Sequence, residues 1–215
     1  MKTWINLFIL FAFVGFISCD QAAQKASDTA EDAVEEVADA VEENTEGGTS
    51  FTPEDIEKLQ NKFTYDAATG YYKHNRWGGR SPQRRTLTAD VYKNGSFTLA
   101  SVYYGDAKVD HNRIIVTAGE ERMTSDRVTL NNESEHVVQK DKDKRYEINY
   151  YTNYRDKGIF EAIGKGLEGE VTVRFDGPER SSSVPLNADD LMALKDCYTL
   201  SLLLRSSVIT PPTEE

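Results

Sequence analysis

The chain has 215 residues, a formal net charge of −11 and two cysteines, Cys19 and Cys197. This length suits one domain of ordinary size with flanking segments, and the acidic balance disfavours nucleic acid as a partner. Two cysteines are too few for a disulfide framework, so a folded domain here must depend on its own hydrophobic core.

The N-terminus has the features of an export signal. Residues 5–17 are apolar except for Asn6 and Gly15, and one positive charge, Lys2, precedes them. The apolar run has the length of a secretory signal and is shorter than the roughly 20 residues that span a bilayer. We predict that residues 1–18 are a signal peptide. The alternatives are a buried core helix and a membrane anchor that is never cleaved.

The end of this segment resembles a lipid-attachment site. Phe16-Ile17-Ser18-Cys19 resembles the lipobox of bacterial lipoproteins, with Ser18 and Cys19 at its two most restrictive positions. The resemblance implies that Cys19 receives a diacylglycerol, that the chain is cut before it, and that the new N-terminus is acylated with a fatty acid such as palmitate. It also implies an envelope protein that contacts the membrane through lipid, with a domain facing the periplasm or the cell surface.

Residues 19–50 carry most of the negative charge of the chain. Positions 20–48 contain ten acids and one base, so their net charge is −9 and residues 49–215 keep only −3. Alanine, glutamate and valine dominate, which is typical of a marginal helix or a disordered linker. We predict a helical or disordered tether that lifts the domain off the lipid headgroups. A coiled-coil oligomerisation segment is the alternative.

Residues 51–207 are predicted to be a single β-rich globular domain. Thr52-Pro53-Glu54-Asp55 has the hydroxyl, proline and acids that begin a helix, which is expected to end near Lys62. Asn94-Gly95 between two alternating runs predicts a tight hairpin. Strands are expected at residues 63–65, 71–74, 87–91, 97–103, 113–118, 122–130, 136–139, 145–151 and 170–175.

Two further helices are expected, at residues 155–165 and after Asn187, which is the predicted N-cap. The apolar stripe of the last helix is predicted to be Leu191, Leu194, Tyr198 and Leu202. Because helices and strands do not alternate regularly, a parallel sheet is not expected. The fold class is therefore mainly β, an antiparallel two-layer sandwich or open barrel with a C-terminal helix and one or two short helices. Residues 208–215 are expected to be a flexible tail.

The pattern from residue 162 to residue 190 is similar to that of uncharacterised β-rich domains in other bacterial lipoproteins, a likeness that implies no function. Gly164-Lys165-Gly166-Leu167-Glu168-Gly169 fits G-x-G-x-x-G, but a helix is expected before the glycines and a strand after them. A dinucleotide site needs the reverse order. The three histidines, His74, His111 and His136, lack the spacing of metal ligands. We predict no cofactor and no metal site.

One loop concentrates cationic and aromatic side chains. Residues 74–85 hold Arg76, Trp77, Arg80, Arg84 and Arg85 among glycine and proline, in a domain that is otherwise mildly acidic. Guanidinium groups suit carboxylate, sulfate or phosphate, and the tryptophan ring can stack on a sugar. We predict an anion or acidic-glycan contact site here. The alternative is a solvated loop whose tryptophan folds back on the sheet.

The functional expectation follows from the anchor and from the lack of a recognisable catalytic motif. We expect a lipid-anchored bacterial envelope protein whose domain is a non-enzymatic binding or interaction module, with an envelope protein or an acidic glycan as its partner. The alternative is an envelope glycan hydrolase that uses a pair of carboxylates, whose positions the sequence does not identify.

Overall fold

The computed structural model describes residues 51–78, 81–152 and 154–211. The predicted signal peptide, Cys19 and the acidic tether lie outside these residues, as do Arg80 and the last four residues of the predicted tail. The account of the fold therefore concerns the globular domain.

Ten strands and three α-helices make up the described part of the domain. The strands are β1 (Phe63–Asp66), β2 (Tyr71–His74), β3 (Thr86–Tyr92), β4 (Phe97–Gly105), β5 (Arg113–Ala118), β6 (Glu121–Thr124), β7 (His136–Asp141), β8 (Lys144–Tyr151), β9 (Val171–Asp176) and β10 (Ser181–Pro185). The helices are α1 (Pro53–Gln60), α2 (Ile159–Lys165) and α3 (Ala188–Arg205), and a 3₁₀ turn covers Asn75–Trp77.

The strands form two antiparallel sheets, which confirms the predicted fold class. The large sheet has six strands in the order β1-β2-β3-β4-β8-β7, and the small sheet has four in the order β10-β9-β5-β6. Neither sheet of the described domain closes into a barrel. No helix within the described ranges is long and apolar enough to cross a bilayer.

Local sequence signals place several of these elements. Thr52 caps α1 through a capping box, in which its hydroxyl accepts from the amide of Asp55 and the Asp55 carboxylate accepts from the amide of Thr52. Asn94-Gly95 makes the tight turn between β3 and β4, whose register pairs Val91 with Phe97. The N-cap of α3 is Asn187, as predicted.

Other boundaries differ from the prediction. The strand expected at residues 122–130 ends at Thr124, and the chain then leaves the sheet. The helix expected from residue 155 begins only at Ile159, because a turn ending in left-handed Gly158 precedes it. Strand β10 was not predicted, because the serine-rich run 181–183 lacks β-branched and aromatic residues.

The predicted apolar stripe of α3 is rotated from the observed one. Leu194 is buried as expected, but Leu191, Tyr198 and Leu202 are only half-buried. The side chains of α3 that are fully buried in the structure are Asp190, Ala193, Leu194, Cys197, Leu200, Ser201, Leu203 and Leu204. Helix α3 therefore presents a broader face to the domain than a single stripe, as expected for a helix packed against both a sheet and another helix.

One main core fills the space between the sheets and α3. Leu87, Leu99 and Val91 face it from the large sheet, while Val173 and Phe175 face it from the small sheet. Helix α2 packs against α3 at Gly164, where a Cβ atom would lie 2.1 Å from the Cγ of Tyr198. The first glycine of the G-x-G-x-x-G run therefore serves helix packing, and the run follows a helix and precedes a strand as predicted.

Candidate functional site

The large sheet has a second apolar face, turned away from the main core. Ala100 and Val102 of β4 and Ile148 of β8 are buried in a cluster separate from the main core. Tyr146 and Tyr150 pack against them. Because side chains alternate along a strand, these residues share one face, which we call the outer face. An outer face this apolar needs a cover.

The loop between β2 and β3 supplies part of that cover and leaves a cavity of about 180 Å³. We call this cavity the loop groove. It is lined by Lys73, His74, Trp77, Ser81, Pro82, Thr88, Asp90, Ala100, Val102, Ile148 and Tyr150. Apolar and aromatic walls with a few convergent polar groups are what small-molecule sites usually offer.

Asp90 is the carboxylate of the loop groove. It lies on the outer face of β3, and burial raises its pKa despite the opposing charge of Lys73. Lys73 stands opposite Asp90 in the sheet register, but its ammonium lies 3.1 Å from a carboxylate oxygen of Asp66 instead. Within the described chain the carboxylate of Asp90 has no hydrogen-bond partner. A partly desolvated carboxylate without donors is a costly arrangement unless a ligand or water supplies them.

Trp77 forms a wall of the loop groove. It is half-buried and packs against the main core, with its ring centroid 5.6 Å from that of His74. Its indole Nε1 is buried and has no hydrogen-bond partner among the residues described. The tryptophan thus folds back onto the domain, as the alternative for this loop expected, and it also lines the groove.

The predicted arginine site divides in the structure. Arg76 and Arg84 come together, and both bind the carboxylate of Asp190 at the start of α3. Arg76 Nε lies 3.2 Å from Asp190 Oδ1, and Arg84 Nε lies 2.9 Å from Asp190 Oδ2. Thr86 Oγ1 also donates to Oδ2 at 2.8 Å. Although burial raises the pKa of Asp190, these donors outweigh it and hold that pKa below its ordinary value.

The remaining predicted contacts lie elsewhere. Arg85 donates to the hydroxyl of Ser182 in β10 at 2.6 Å, and Arg80 lies outside the described residues. The guanidinium groups of Arg76 and Arg84 are therefore already occupied by a carboxylate of the chain itself. Binding of an external anion by the loop arginines stays a prediction.

A second polar cluster lies inside the domain. Ser101 Oγ is 2.8 Å from His111 Nε2, and His111 Nδ1 is 3.4 Å from Glu147 Oε2, the order of a serine–histidine–acid triad. All three side chains are fully buried, and none of them lines the loop groove. The hydroxyl of Ser101 is therefore enclosed by the domain in this structure.

The cluster of Ser101, His111 and Glu147 stabilises the fold. Glu147 accepts hydrogen bonds from the amides of Val109 and His111 in the segment that crosses from the large sheet to the small one. Burial raises the pKa of Glu147, but these hydrogen bonds and the His111 ring outweigh it, so the pKa lies below its ordinary value. Burial lowers the pKa of His111. A neutral histidine beside an ionised glutamate therefore fixes the crossover.

The histidines do not assemble a metal site. His74 lies 3.2 Å from Asp196, and His136 lies 2.5 Å from Asn149, so each has a separate partner. In the described parts of the chain no group of three histidine, cysteine, aspartate or glutamate side chains is placed to hold a metal ion. Cys197 is fully buried, and burial raises the pKa of its thiol.

Sequence reasoning missed Asp90, Lys73 and Tyr150 as groove residues. All three lie on alternating strands, where a polar outward residue looks like an ordinary solvated position. The one available sequence signal is the run Leu99-Ala100-Ser101-Val102-Tyr103 in β4, which has no charged residue and in the structure is buried throughout, as in a strand covered on both faces.

The chain matches no protein-family model, no curated protein and no solved structure.

Proposed function

We propose that this chain is a lipid-anchored bacterial envelope protein whose β domain is a non-enzymatic module that binds a glycan in the loop groove. The anchor rests on the resemblance of Phe16-Ile17-Ser18-Cys19 to a lipobox. On this proposal the domain faces the periplasm or the cell surface and reaches its ligand from the end of the acidic tether.

The observation that carries the glycan proposal is the pairing of Asp90 with Trp77 in one groove. Sugar rings combine apolar C–H faces with hydroxyl donors. Trp77 and Tyr150 offer aromatic surface for the C–H faces, and Asp90 offers a carboxylate that lacks donors in the described chain. Ser81 and Thr88 add hydroxyl groups to the lining. This combination fits a polyhydroxylated ring better than a purely apolar ligand or a phosphate.

A glycan hydrolase is the second candidate, and the raised pKa of Asp90 favours it, because a general acid must hold its proton near neutral pH. Glycoside cleavage, however, ordinarily needs two carboxyl groups flanking the bond. Asp90 is the one carboxylate among the described residues that line the loop groove. The binding module is therefore the better supported function.

The test uses the fluorescence of Trp77 to report ligand binding. The chain has one other tryptophan, Trp4, which lies in the predicted signal peptide. Full-length protein in detergent micelles is titrated with chitotetraose and with a hyaluronan tetrasaccharide while indole emission is recorded. We expect at least one of them to shift the emission saturably. Asp90→Ala should weaken that binding roughly tenfold or more, because hydrogen bonds to a charged group contribute about 1.5–3 kcal/mol.

Glu121→Ala is the matched control, because Glu121 is an exposed acid on the edge strand of the small sheet. It should bind as the wild type does. If neither tetrasaccharide changes the emission, the glycan proposal is wrong. If Asp90→Ala binds as tightly as wild type, the loop groove is not the site. Release of new reducing ends during incubation, lost in Asp90→Asn, would instead support the hydrolase.

A further inference from the structure

A second depression opens at the other end of the outer face, beside the turn between β3 and β4. We call it the turn pocket. Its volume is about 470 Å³, and its lining includes Tyr92, Asn94, Ser96, Tyr154 and Arg205. It is larger than the loop groove and shares no lining residue with it.

The two depressions follow one another along the same strands. Thr98, which lines the turn pocket, is the register partner of Asp90, which lines the loop groove. Tyr92 lies two residues after Asp90 on the same strand face, and its hydroxyl is 3.2 Å from Thr98 Oγ1. At about 3.3 Å per residue, Thr88 and Tyr92 are about 13 Å apart. An extended ligand of several rings can therefore contact both depressions.

Arg205 is held in place at the turn pocket. Its Nε donates to the carbonyl oxygen of Gly95 at 3.0 Å, and Ser201 Oγ donates to the same oxygen. The guanidinium carbon also lies 6.0 Å from the ring centroid of Phe97. Because Nε and the stem are fixed, the two Nη groups keep a defined position at the end of α3.

Those Nη groups have no carboxylate partner in the described chain. By contrast, Arg84 binds Asp190 at 2.9 Å and Arg113 binds Asp176 at 2.7 Å. Arginine presents paired N–H donors that match the two oxygens of a carboxylate. A pre-positioned guanidinium in a cavity, without a counter-ion among residues 51–211 as far as the structure describes them, is complementary to a carboxylate from outside.

The rest of the turn pocket suits a sugar ring. Tyr154 is 74% exposed, and its backbone has the left-handed φ of 62°, which is unusual for a tyrosine. The Oδ1 of Asn94 accepts from the amide and hydroxyl of Ser96, so the turn is rigid and the Asn94 amide nitrogen is left to donate. The pocket thus offers an open aromatic ring, amide donors and a cation.

We propose that the turn pocket is the carboxylate subsite of the glycan site, so that the ligand is an acidic glycan with its carboxylate on Arg205 and an uncharged ring in the loop groove. This inference rests on the proposed function, since it extends the same site. It moves the acidic-glycan contact from the loop arginines, two of which hold Asp190, to an arginine at the opposite end of the sheet. An uncharged ring beside Asp90 also avoids repulsion between two carboxylates.

The experiment is calorimetric titration of full-length protein in detergent micelles with a hyaluronan tetrasaccharide, which alternates uronate and N-acetylglucosamine, and with its carboxyl methyl ester. We expect wild type to bind the acid at least tenfold more tightly than the ester. Arg205→Gln should lose that preference and bind both as wild type binds the ester. Arg205→Lys, which keeps the charge but not the fork, should fall between.

Arg180→Gln is the matched control, because Arg180 is an exposed arginine in the turn before β10. It should bind as wild type does, and thermal melting should show that the Arg205 variants remain folded. Equal binding of acid and ester by wild type overturns the carboxylate subsite, as does an Arg205→Gln variant that keeps the preference. In both cases loss of binding in Asp90→Ala leaves the loop-groove proposal intact.

Two other outcomes separate the proposals further. If Arg205→Gln loses the preference but Asp90→Ala binds the acid normally, the turn pocket acts alone, and both the loop-groove function and the single extended site are wrong. If chitotetraose binds wild type and the hyaluronan tetrasaccharide does not, the proposed function stands and the acidic ligand is wrong.

Discussion

Asp190 joins three elements through one carboxylate. It lies in the first turn of α3, where it stays 1% exposed while Arg76 and Arg84 of the loop and Thr86 of β3 donate to it. Asn187, the N-cap of α3, also donates to it from Nδ2. The buried carboxylate of Asp190 therefore fastens the loop that forms the wall of the loop groove to the C-terminal helix, and Asp189 adds an exposed contact to Arg76.

We predict that Asp190→Asn destabilises the domain by about 3 kcal/mol, because it removes the negative charge and one of the two acceptor oxygens of a buried ion-pair network. This value is at the low end of the cost of breaking a buried ion pair. The reason is that Arg76 and Arg84 are 34% and 37% exposed, so water can replace the lost contacts. The control is Asp189→Asn, whose carboxylate is 60% exposed and contacts Arg76 alone at 3.1 Å. Its cost should be at most about 1 kcal/mol. Urea unfolding measures both; equal losses would contradict the network.

The difference in unfolding free energy between wild type and Asp190→Asn should depend on pH, and the direction follows from the pKa of Asp190. The pKa of Asp190 is lower in the folded state than its ordinary value of 3.8, so the unfolded chain takes up the proton first as pH falls. The stability that Asp190 contributes is thus fully present above about pH 5 and is lost as pH falls through the folded-state pKa. The gap between wild type and Asp190→Asn should be constant from pH 7 to about pH 5 and shrink below about pH 4.

At the scale of elements, the contact between α3 and the β3–β4 turn positions the turn pocket. Gly95 in that turn has a φ of 77°, and its carbonyl accepts hydrogen bonds from Ser201 and Arg205. A Cβ atom on Gly95 would lie 2.5 Å from Arg205 Cγ and 2.6 Å from the carbonyl oxygen of Ser201. The helix can approach the turn this closely only because the turn residue lacks a side chain.

We predict that Gly95→Ala costs about 2 kcal/mol more stability than Gly70→Ala. Both glycines have a left-handed φ, so the backbone penalty of about 1–2 kcal/mol is shared. A Cβ on Gly70 meets nothing within 4 Å, whereas one on Gly95 forces α3 to move, which is an overpacking cost. Urea unfolding compares the two, and similar midpoints would show that the α3 contact is loose. Gly95→Ala should also weaken any binding at the turn pocket.

The elements that sequence predicts well are those set by near neighbours. The helix start at Thr52 and the Asn94-Gly95 hairpin each depend on residues within four positions, and both occur as expected. The site is different, because its partners are far apart in the chain. Arg84 and Asp190 are separated by 106 positions, and Ser101 meets His111 only because a crossover returns that residue to the sheet interior. Spacing in sequence carries no information about such contacts.

The prediction for the loop of residues 74–85 was limited in the same way, because the sequence does not identify distant partners. The arginines of residues 74–85 indicate an affinity for carboxylates, and in the structure Arg76 and Arg84 do bind one, on Asp190. Which carboxylate they bind depends on where α3 begins relative to the loop. Composition alone cannot distinguish an internal partner from an external one, and it gave no reason to single out Arg205.

At the scale of the whole molecule, the charge of the chain is unevenly distributed. Residues 20–48 carry −9, while residues 49–215 carry −3, so the low overall isoelectric point belongs mainly to the predicted tether. A domain so near neutrality can bind an acidic glycan through a local cation such as Arg205 without strong general repulsion. On the proposed lipid anchoring, the negative charge of residues 20–48 is repelled by anionic lipid headgroups.

The two cysteines allow the anchor to be tested with an internal control. We predict that protein expressed in bacteria fed radiolabelled palmitate incorporates the label, and that Cys19→Ala abolishes incorporation because the acceptor thiol is lost. Cys197→Ala should incorporate label normally, since Cys197 is fully buried and burial raises the pKa of its thiol.

Mass spectrometry should find the mature chain beginning at Cys19 with the added mass of lipid. One acyl chain holds a protein only marginally and two or more hold it stably, so wild type and Cys197→Ala should enter the detergent phase on extraction. Label retained by Cys19→Ala, or a wild-type chain that keeps Met1, would show that the anchor is not the one proposed.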